Sequence, residues 1–451
     1  MPLTVLGETD VHNLLLSLTR DEVLELQKNL GDALREYSTG NQEAGCCSEY
    51  QPQRTAITRN NGLTTIFMPA STGSSIGLKI LSVPDIPVEP FPTVEPEPSS
   101  SHRPSIPSIL ESRTSVDSTL SKLSSLSLPS TTDSSIPPSV SEATTAATLT
   151  SPPGNLTLLD TAGKPTALLN ARELTAFRTA LASLILFNKR KHAHTITVFG
   201  AGLQAYWHIR LALILRGSEI KHVNIINRSF ERATNLFREF YSAVNSKWRL
   251  DVKFSTFSPD FVEYERLLHE GVRKADAIFC CTPALEPLFP GELLTAGDGR
   301  RKGRYISAIG SVTPFMTELD PKVLLDAVEP HHHHRLPHHR HPTRGGAVIV
   351  DSLDSCMRDA GEIVQAKLNA KQLVEIGELM MLKAERVKER GREYGEGDGE
   401  IGKDDKALLE WIRKGNVIYK SVGLGLMDLV VGGDLVALAT DRGVGTRIED
   451  F

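Results

Sequence analysis

A glycine-rich turn has the residue types and spacing that hold the pyrophosphate of a dinucleotide. In TITVFGAGLQA, Gly200 and Gly202 directly follow a short β-branched run, and Ala205 takes the place of a third glycine. Gly200 would allow the tight turn, Gly202 the close approach of the backbone to the pyrophosphate, and Ala205 the close packing of a helix on a sheet. The chemistry expected here is binding of a dinucleotide cofactor, with Leu203 and Gln204 as further contacts at the helix N-terminus.

The elements around this turn decide between a dinucleotide site and a chance match. HTITVFG (194–200) predicts a buried parallel strand, AYWHIRLALILRG a helix that ends at Gly217, and HVNIINRS (222–229) a second strand. Strand, turn, helix and strand in this order are typical of a βαβ unit. A glycine-rich turn in an unrelated α/β fold is the alternative, and the ordered elements favour the dinucleotide site.

Residues at the end of the second predicted strand indicate which cofactor is bound. An acidic residue there would accept hydrogen bonds from the ribose 2′-OH of NAD. The sequence instead has Asn227, Arg228 and Ser229, with Arg232 one helical turn later. Because a guanidinium pairs with a 2′-phosphate and no carboxylate repels it, NADP(H) is favoured over NAD(H).

Two later segments predict strands whose following loops would line the ligand crevice. KADAIFCCTPALEPLF (274–289) predicts a strand that ends near Thr282, and GRYISAIGSVTPFMTELD (303–320) a strand over Tyr305–Ile309 followed by a glycine turn. Loops at the carboxyl ends of parallel strands surround the ligand in open α/β sheets. Thr282 and Ile309 are therefore candidate cofactor contacts.

The composition describes a mildly acidic chain and argues against several classes of function. The chain has 451 residues, of which 40% are hydrophobic, and this is enough to build the cores of two domains. Its formal net charge is −5, and it lacks the basic stripe of a nucleic-acid-binding protein. The N-terminal run lacks the cationic start of a secretory signal, and Asp428 and Asp434 interrupt the most apolar stretch, so no membrane span is expected. The 5 cysteines fit neither a disulfide framework nor a zinc site, which predicts a cytoplasmic protein without a structural metal.

Three segments of biased composition divide the chain. The Ser/Thr/Pro-rich segment 91–153 predicts a disordered insertion. The His-rich run 330–346 predicts a solvated loop, with a metal site as the alternative, and the charged run 383–406 predicts a helix extension and a loop. The parts that remain are 1–90, 154–193, the α/β-patterned 194–355, and a C-terminal part, 356–451.

Blocks spread over the chain resemble the ornithine cyclodeaminase/mu-crystallin family. They include QPQRTAI, IGLKILSV, LLNARELTAFRTALAS, VFGAGLQA, INRS, ADAIFCCTPALEPLF, AIGSVTPFMTEL, VIVDSLDSCMRDAGEIV and KSVGLGLMDL. The resemblance implies an α/β fold, with a Rossmann-like NAD(P)-binding domain at 194–355 and a split α+β substrate-binding and dimerisation domain formed by 1–90, 154–193 and the C-terminal return. It further implies a homodimer that acts on the C–N bond of a small imino or amino acid. Ser421, in KSVGLGL, joins the candidate cofactor contacts.

Three cations at the family's matching positions are candidates for binding the substrate carboxylate, namely Arg54, Lys79 and Arg178. Lys79 lies in a β-like run and Arg178 in an otherwise apolar helix, where a charge is costly unless it is paired or used. Together the cations would hold the carboxylate, and Lys79, which is also the catalytic candidate, would hydrogen-bond the substrate nitrogen or a water. A surface salt bridge is the alternative for each cation taken alone.

One departure from the family pattern bears on the reaction. Cyclodeaminases of this family have an aspartate in the loop after the AIG strand, and Val312 stands at that place. Because valine cannot transfer a proton, imine reduction or amino-acid dehydrogenation is favoured over deaminating cyclisation by an ornithine cyclodeaminase. Asp354, as a substrate contact, and Asp359 are candidates for a compensating acid, and favourable placement near a helix N-terminus is the alternative explanation for both. A mu-crystallin-like protein that binds NADPH and a small carboxylate with little turnover is the other open function.

Overall fold

The computed structural model describes residues 2–39, 51–84, 152–249, 251–329, 346–380 and 403–451, and these residues form two β-sheets. The first sheet has the strand order β15-β1-β6-β5-β4-β3-β2. Its strands are β1 (Leu3–Leu6), β2 (Thr55–Arg59), β3 (Leu63–Ser71), β4 (Ile76–Pro84), β5 (Gly154–Leu159), β6 (Pro165–Asn170) and β15 (Thr446–Ile448). Strands β1 and β6 pair in parallel, and the other described neighbours in this sheet are antiparallel.

The second sheet is parallel throughout its described strands and has the order β13-β12-β14-β11-β10-β7-β8-β9. Its strands are β7 (Thr195–Phe199), β8 (His222–Ile226), β9 (Lys253–Phe257), β10 (Ala277–Cys280), β11 (Tyr305–Ala308), β12 (Val348–Val350), β13 (Leu373–Glu375) and β14 (Val417–Lys420). From β7 the chain builds outward to β8 and β9, and then returns to place β10 on the other side of β7. The carboxyl ends of β7 and β10 therefore flank the point where ligands bind in sheets of this kind.

Helices cover both sheets and supply much of the core. They are α1 (Glu8–Leu16), α2 (Arg20–Thr39), α3 (Ala171–Phe187), α4 (Leu203–Arg216), α5 (Phe230–Phe240), α6 (Ser246–Arg249), α7 (Tyr264–Lys274), α8 (Glu292–Thr295), α9 (Gly297–Arg301), α10 (Pro321–Val328), α11 (Leu353–Asp359), α12 (Gly361–Gln365), α13 (Lys403–Lys414) and α14 (Gly425–Arg442). Helix α3 packs against α4 of the second sheet and against α1, α2 and α14. Because it has neighbours on all sides, its residues are buried around the whole helix, Arg172 excepted, and Arg178 is held inside the core.

Several predicted elements are confirmed and others differ. The strand, turn, helix and strand around Gly200 form as predicted, and the α/β fold class is confirmed. The second sheet extends past residue 355, the boundary predicted for it, because Leu373–Glu375 and Val417–Lys420 add two strands. All four residues of Val417–Lys420 are buried, as in a central parallel strand, and the C-terminal helix begins at Gly425.

Parts of the three biased segments lie outside the described residues. These parts are 91–151, 330–345 and 383–402, and the last residues of the charged run, 403–406, already belong to α13. The long segment between β4 and β5 nevertheless leaves and re-enters the first sheet on neighbouring strands. Strands β4 and β5 pair from Ile76 to Leu81, and the Ser82 N–H donates to the Pro153 carbonyl at 3.0 Å. Among the described helices, none has both the length and the apolar character needed to cross a bilayer.

Candidate active site

The glycine turn lies at the carboxyl end of β7, against the loop that follows β10. Gly200 has φ of +109°, and its N–H donates to the Ile226 carbonyl at 2.9 Å. A Cβ at this position would lie 2.8 Å from the Cys281 carbonyl oxygen. Both the backbone conformation and the close approach therefore require glycine. Gly202 then caps α4 without a side-chain hydrogen bond, which leaves the N–H groups of the first helical turn free of a capping side chain.

The segment after β8 presents the residues predicted to choose the cofactor. The Asn227 side-chain amide donates to the Ser229 carbonyl at 2.8 Å, and the Ser229 hydroxyl caps α5 by accepting from the Arg232 N–H at 3.3 Å. Arg228 is exposed, and neither its guanidinium nor that of Arg232 makes a hydrogen bond or ion pair with another described residue. Two cationic side chains without a partner among the described residues therefore follow this strand, and Asn227 rather than a carboxylate comes directly after it.

One buried carboxylate, Glu318, joins the loops after β10 and β11. It accepts hydrogen bonds from the N–H groups of Thr282 at 2.7 Å, Gly310 at 2.7 Å and Ser311 at 3.3 Å. Burial raises the pKa of Glu318 to about 7, although Lys420 and these N–H groups lower it. Sequence reasoning missed Glu318, which lies in the TEL part of AIGSVTPFMTEL. It fixes the predicted cofactor contact Thr282 relative to the loop that contains Val312.

A second buried carboxylate, Asp351, shapes the loop after β14. It accepts hydrogen bonds from the Ser421 hydroxyl at 2.6 Å and from the Gly423 N–H at 2.7 Å. Gly423 has φ of +86°, and a Cβ there would lie 2.9 Å from Arg178 Nη2. The loop can therefore rest against the guanidinium of Arg178 because residue 423 has no side chain.

A cavity of about 120 Å³ lies between the edge of the second sheet and strands β3 and β4 of the first. Apolar residues from both sheets line it, namely Ile66, Met68, Leu81, Val83, Ile309, Val312 and Val422. Polar groups of Arg54, Arg178, Gln204 and Ser421 also line it. Substrate candidates and cofactor candidates from distant parts of the sequence thus line one cavity, whereas Thr282 and the residues after β8 lie outside its lining.

Lys79 lies on the same face of β4 as Leu81 and Val83, which line this cavity, but it is completely buried and is not itself one of the lining residues. Its Nζ is 2.7 Å from Oδ1 of Asp428, and the same oxygen is 3.2 Å from Arg178 Nε. Burial lowers the pKa of Lys79 to about 8, opposed by Asp428 and assisted by Arg178. Sequence reasoning found both cations but not their shared partner. The signal available for Asp428 was a carboxylate within the apolar run GLGLMDLVV.

The remaining candidates, Arg54, Asp354 and Asp359, lie toward the outside. Arg54 makes an ion pair with Asp359, which also contacts Arg358 at 3.0 Å. Asp354 lines a neighbouring cavity of about 90 Å³ that shares Arg54, Met68 and Gly423 with the first cavity. Asp354 does not line the cavity that Arg178 lines. Asp359 serves as the counter-ion of two arginines.

The cysteine and metal expectations concern residues away from this cavity. Cys280, Cys281 and Cys356 are free thiols and buried. Within the described ranges, no three or more His, Cys, Asp or Glu side chains are grouped so that they could hold a metal ion. Residues 330–345 of the His-rich run lie outside those ranges.

Comparison with known proteins gives consistent matches. Residues 155–390, more than half of the chain, match the sequence profile of the ornithine cyclodeaminase/mu-crystallin family. A Delta(1)-pyrroline-2-carboxylate reductase of Bacillus cereus is 28% identical over 296 residues, which cover 64% of this chain and 71% of the reductase. A solved structure of the Delta(1)-pyrroline-2-carboxylate reductase of Thermococcus litoralis, in complex with NADH and L-proline, is similar in fold, with a TM-score of 0.60 and 17% sequence identity. The match covers 98% of this chain and 99% of the reductase. An archaeal alanine dehydrogenase dimer with bound NAD has a TM-score of 0.60 at 16% identity, with both chains fully covered.

Proposed function

Since the chain belongs to the ornithine cyclodeaminase/mu-crystallin family, we propose that it is an NADP(H)-dependent oxidoreductase that reduces the C=N bond of a small imino acid. The observation that carries the proposal is the cavity that joins Arg178 to the dinucleotide-binding edge of the second sheet. The Bacillus cereus relative, a pyrroline-2-carboxylate reductase by name, supports this class of reaction.

The charges around the cavity suit a substrate with one carboxylate. Lys79 and Arg178 contribute two positive charges and Asp428 one negative charge, and all three are buried. Among these three groups, one net positive charge is left for the carboxylate of the substrate. A buried carboxylate is favourable when a cation meets it, and Arg178 offers a planar group suited to bidentate contact. Fixing the carboxylate in this way would orient the C=N bond.

Lys79 is the group that can hold the proton the reaction consumes. With a pKa near 8, it retains its proton at neutral pH, yet it is acidic enough to donate to an imine nitrogen. A reduced nicotinamide, when bound, supplies a hydride to the carbon of the C=N bond. The proton from Lys79 Nζ then completes the new N–H bond. This reaction needs no acid at the position of Val312.

The preference for NADP(H) is part of the proposal. Arg228 and Arg232 are uncommitted cations at the end of β8, and Asn227 stands where an acidic residue would favour NAD. The residues fit a 2′-phosphate because a guanidinium can pair with it in the exposed position that Arg228 occupies.

We also propose a cytoplasmic homodimer. The archaeal alanine dehydrogenase of similar fold is a dimer. In this chain, strands of the first sheet or their ends expose Ile57, Ile76 and Leu168, which a partner could cover. Light scattering at micromolar concentration tests the proposal, and a monomeric mass would contradict it. The buried free thiols support a reducing compartment.

A mu-crystallin-like binding protein is the second candidate, because Lys79 is completely buried and does not line the cavity. Steady-state NADPH oxidation with piperideine-2-carboxylate or pyrroline-2-carboxylate separates the two. We expect turnover well above the background reaction and its loss in Lys79→Met. Arg172→Met is the control, since it likewise replaces a cation by methionine, but at an exposed position that pairs with Glu8 and does not line the cavity. NADPH binding without turnover would refute the enzyme and favour the binding protein.

A further inference from the structure

Asp428 is a carboxylate placed where two cations from distant segments converge. It lies in the first turn of α14 and is completely buried. Its Oδ1 atom is 2.7 Å from Lys79 Nζ of β4 and 3.2 Å from Arg178 Nε of α3. Its Oδ2 atom is buried and has no hydrogen-bond partner among the described residues. Both interactions therefore depend on a single oxygen atom.

The contact with Arg178 leaves the outer part of the guanidinium free. Arg178 Nε donates to Asp428, and Nη1 lies 3.4 Å from the Met427 sulfur, a weak acceptor. Nη2 lies beside Gly423 and donates to no described residue. Since the same arginine lines the cavity, Asp428 fixes the plane of the guanidinium and leaves its terminal nitrogens for a ligand.

The contact with Lys79 opposes two effects that would discharge the ammonium. Complete burial disfavours its charged form, and so does the neighbouring Arg178. Among the described residues, the charged groups that shift its proton affinity are Asp428 of α14 and Arg178 of α3. Only the carboxylate of this pair favours the charged form.

We propose that Asp428 is a positioning residue that orients Arg178 through Nε and keeps Lys79 charged, so that the buried group formed by these three residues presents one net positive charge to the cavity through Arg178. The role in reduction rests on the proposed function, whereas the role in carboxylate binding does not. The ligand class that follows is a small planar monocarboxylate.

The test measures carboxylate binding and turnover separately against pH. Calorimetry with pyrrole-2-carboxylate, which cannot be reduced by hydride transfer, is carried out on the NADPH-loaded protein between pH 6 and 9. In the wild type, affinity should decline as pH rises past about 8. In Asp428→Asn the decline should begin at least one pH unit lower, so that affinity at pH 8 is reduced about tenfold or more. Asp428→Glu should restore the wild-type position of the decline.

Matched variants keep the result interpretable. Asp434→Asn makes the same chemical change two turns along α14, where the carboxylate accepts from Asn29, and should not move the pH dependence. In a Lys79→Met background, Asp428→Asn should not change the pH dependence of binding. This double variant leaves one buried cation without a counter-ion, whereas Asp428→Asn alone leaves two, so it remains available if the single variant fails to fold.

Each outcome decides the inference. Identical pH dependence of binding in the wild type and Asp428→Asn would overturn it, as would no binding of pyrrole-2-carboxylate by the wild type. If the wild type binds the carboxylate with the expected pH dependence but reduces no imine, the inference stands and the proposed enzymatic function fails.

Discussion

Glu318 offers the sharpest perturbation of the fold that supports the site. Its carboxylate is completely buried and accepts from three backbone N–H groups in the loops after β10 and β11. Replacing Glu318 by glutamine keeps the shape of the side chain. However, one of the two accepting oxygens becomes an NH₂ group, which cannot accept a hydrogen bond from the backbone N–H groups it faces. Leaving such donors unsatisfied costs about 1–3 kcal/mol. That cost is independent of pH. Any pH dependence of the difference in unfolding free energy between the wild type and the variant therefore comes from titration of the Glu318 carboxyl group.

Burial raises the pKa of Glu318 to about 7, against an ordinary value of 4.5. Because the folded-state pKa is the higher one, the folded protein holds the proton more tightly than the unfolded chain. The corresponding stabilisation is fully present below pH 4.5 and is lost as pH rises through 7. The difference between the two values corresponds to roughly 3 kcal/mol, of which about 2.5 kcal/mol falls between pH 5 and pH 8.

The assay is urea unfolding of the wild type and Glu318→Gln at pH 5, 6, 7 and 8. The free energy of unfolding of the wild type minus that of the variant should fall by about 2.5 kcal/mol across this series, since the titrating groups that do not interact with Glu318 cancel. Glu286→Gln, an exposed change in the same region of the chain, is the control and should follow the wild type in parallel. Parallel curves for Glu318→Gln would refute the reasoning, because they would mean that this carboxyl does not titrate between pH 5 and 8.

Three further predictions test the cofactor preference, the insertion and the loop at Arg178. Arg228→Ala should weaken NADPH about ten- to a hundredfold in fluorescence titrations and leave NADH nearly unchanged; equal losses would remove the 2′-phosphate assignment. Replacing 86–151 by a short turn should leave the melting temperature and NADPH binding unchanged, because β4 and β5 are already neighbours; loss of folding would contradict this. Gly423→Ala should lower pyrrole-2-carboxylate affinity at least tenfold with NADPH affinity retained, since its Cβ would lie 2.9 Å from Arg178 Nη2; unchanged affinity would exclude that contact from ligand binding.

Local sequence patterns were sufficient for the dinucleotide-binding unit. The β-branched run before Gly200, the glycine spacing and the apolar helix after it all act between residues close in the chain, so periodicity and turn chemistry predict them. The strand over Val417–Lys420 was missed because a short buried apolar run has the same composition in a helix and in a parallel strand. Pairing with β11 and β12, which lie far away in sequence, makes this run a strand.

The site shows the same division between local and distant information. Lys79 and Arg178 could be found because each is a charge in apolar surroundings. Their pairing could not, because Asp428 follows Arg178 by 250 residues. Glu318 was missed for a related reason, since its hydrogen bonds reach backbone N–H groups, which no side-chain pattern reveals.

The C-terminal segment gives this chain an order of completion during synthesis. All eight strands of the second sheet have been made by Lys420, but Asp428 and β15 have not. Until they emerge from the ribosome, Lys79 and Arg178 have no counter-ion, and β1 lacks one of its two neighbours. A chain truncated after residue 420 would therefore contain every described strand of the second sheet, but its two buried cations, Lys79 and Arg178, would have no counter-ion. The residues that follow Lys420 thus determine whether Arg178 is held in place at the cavity.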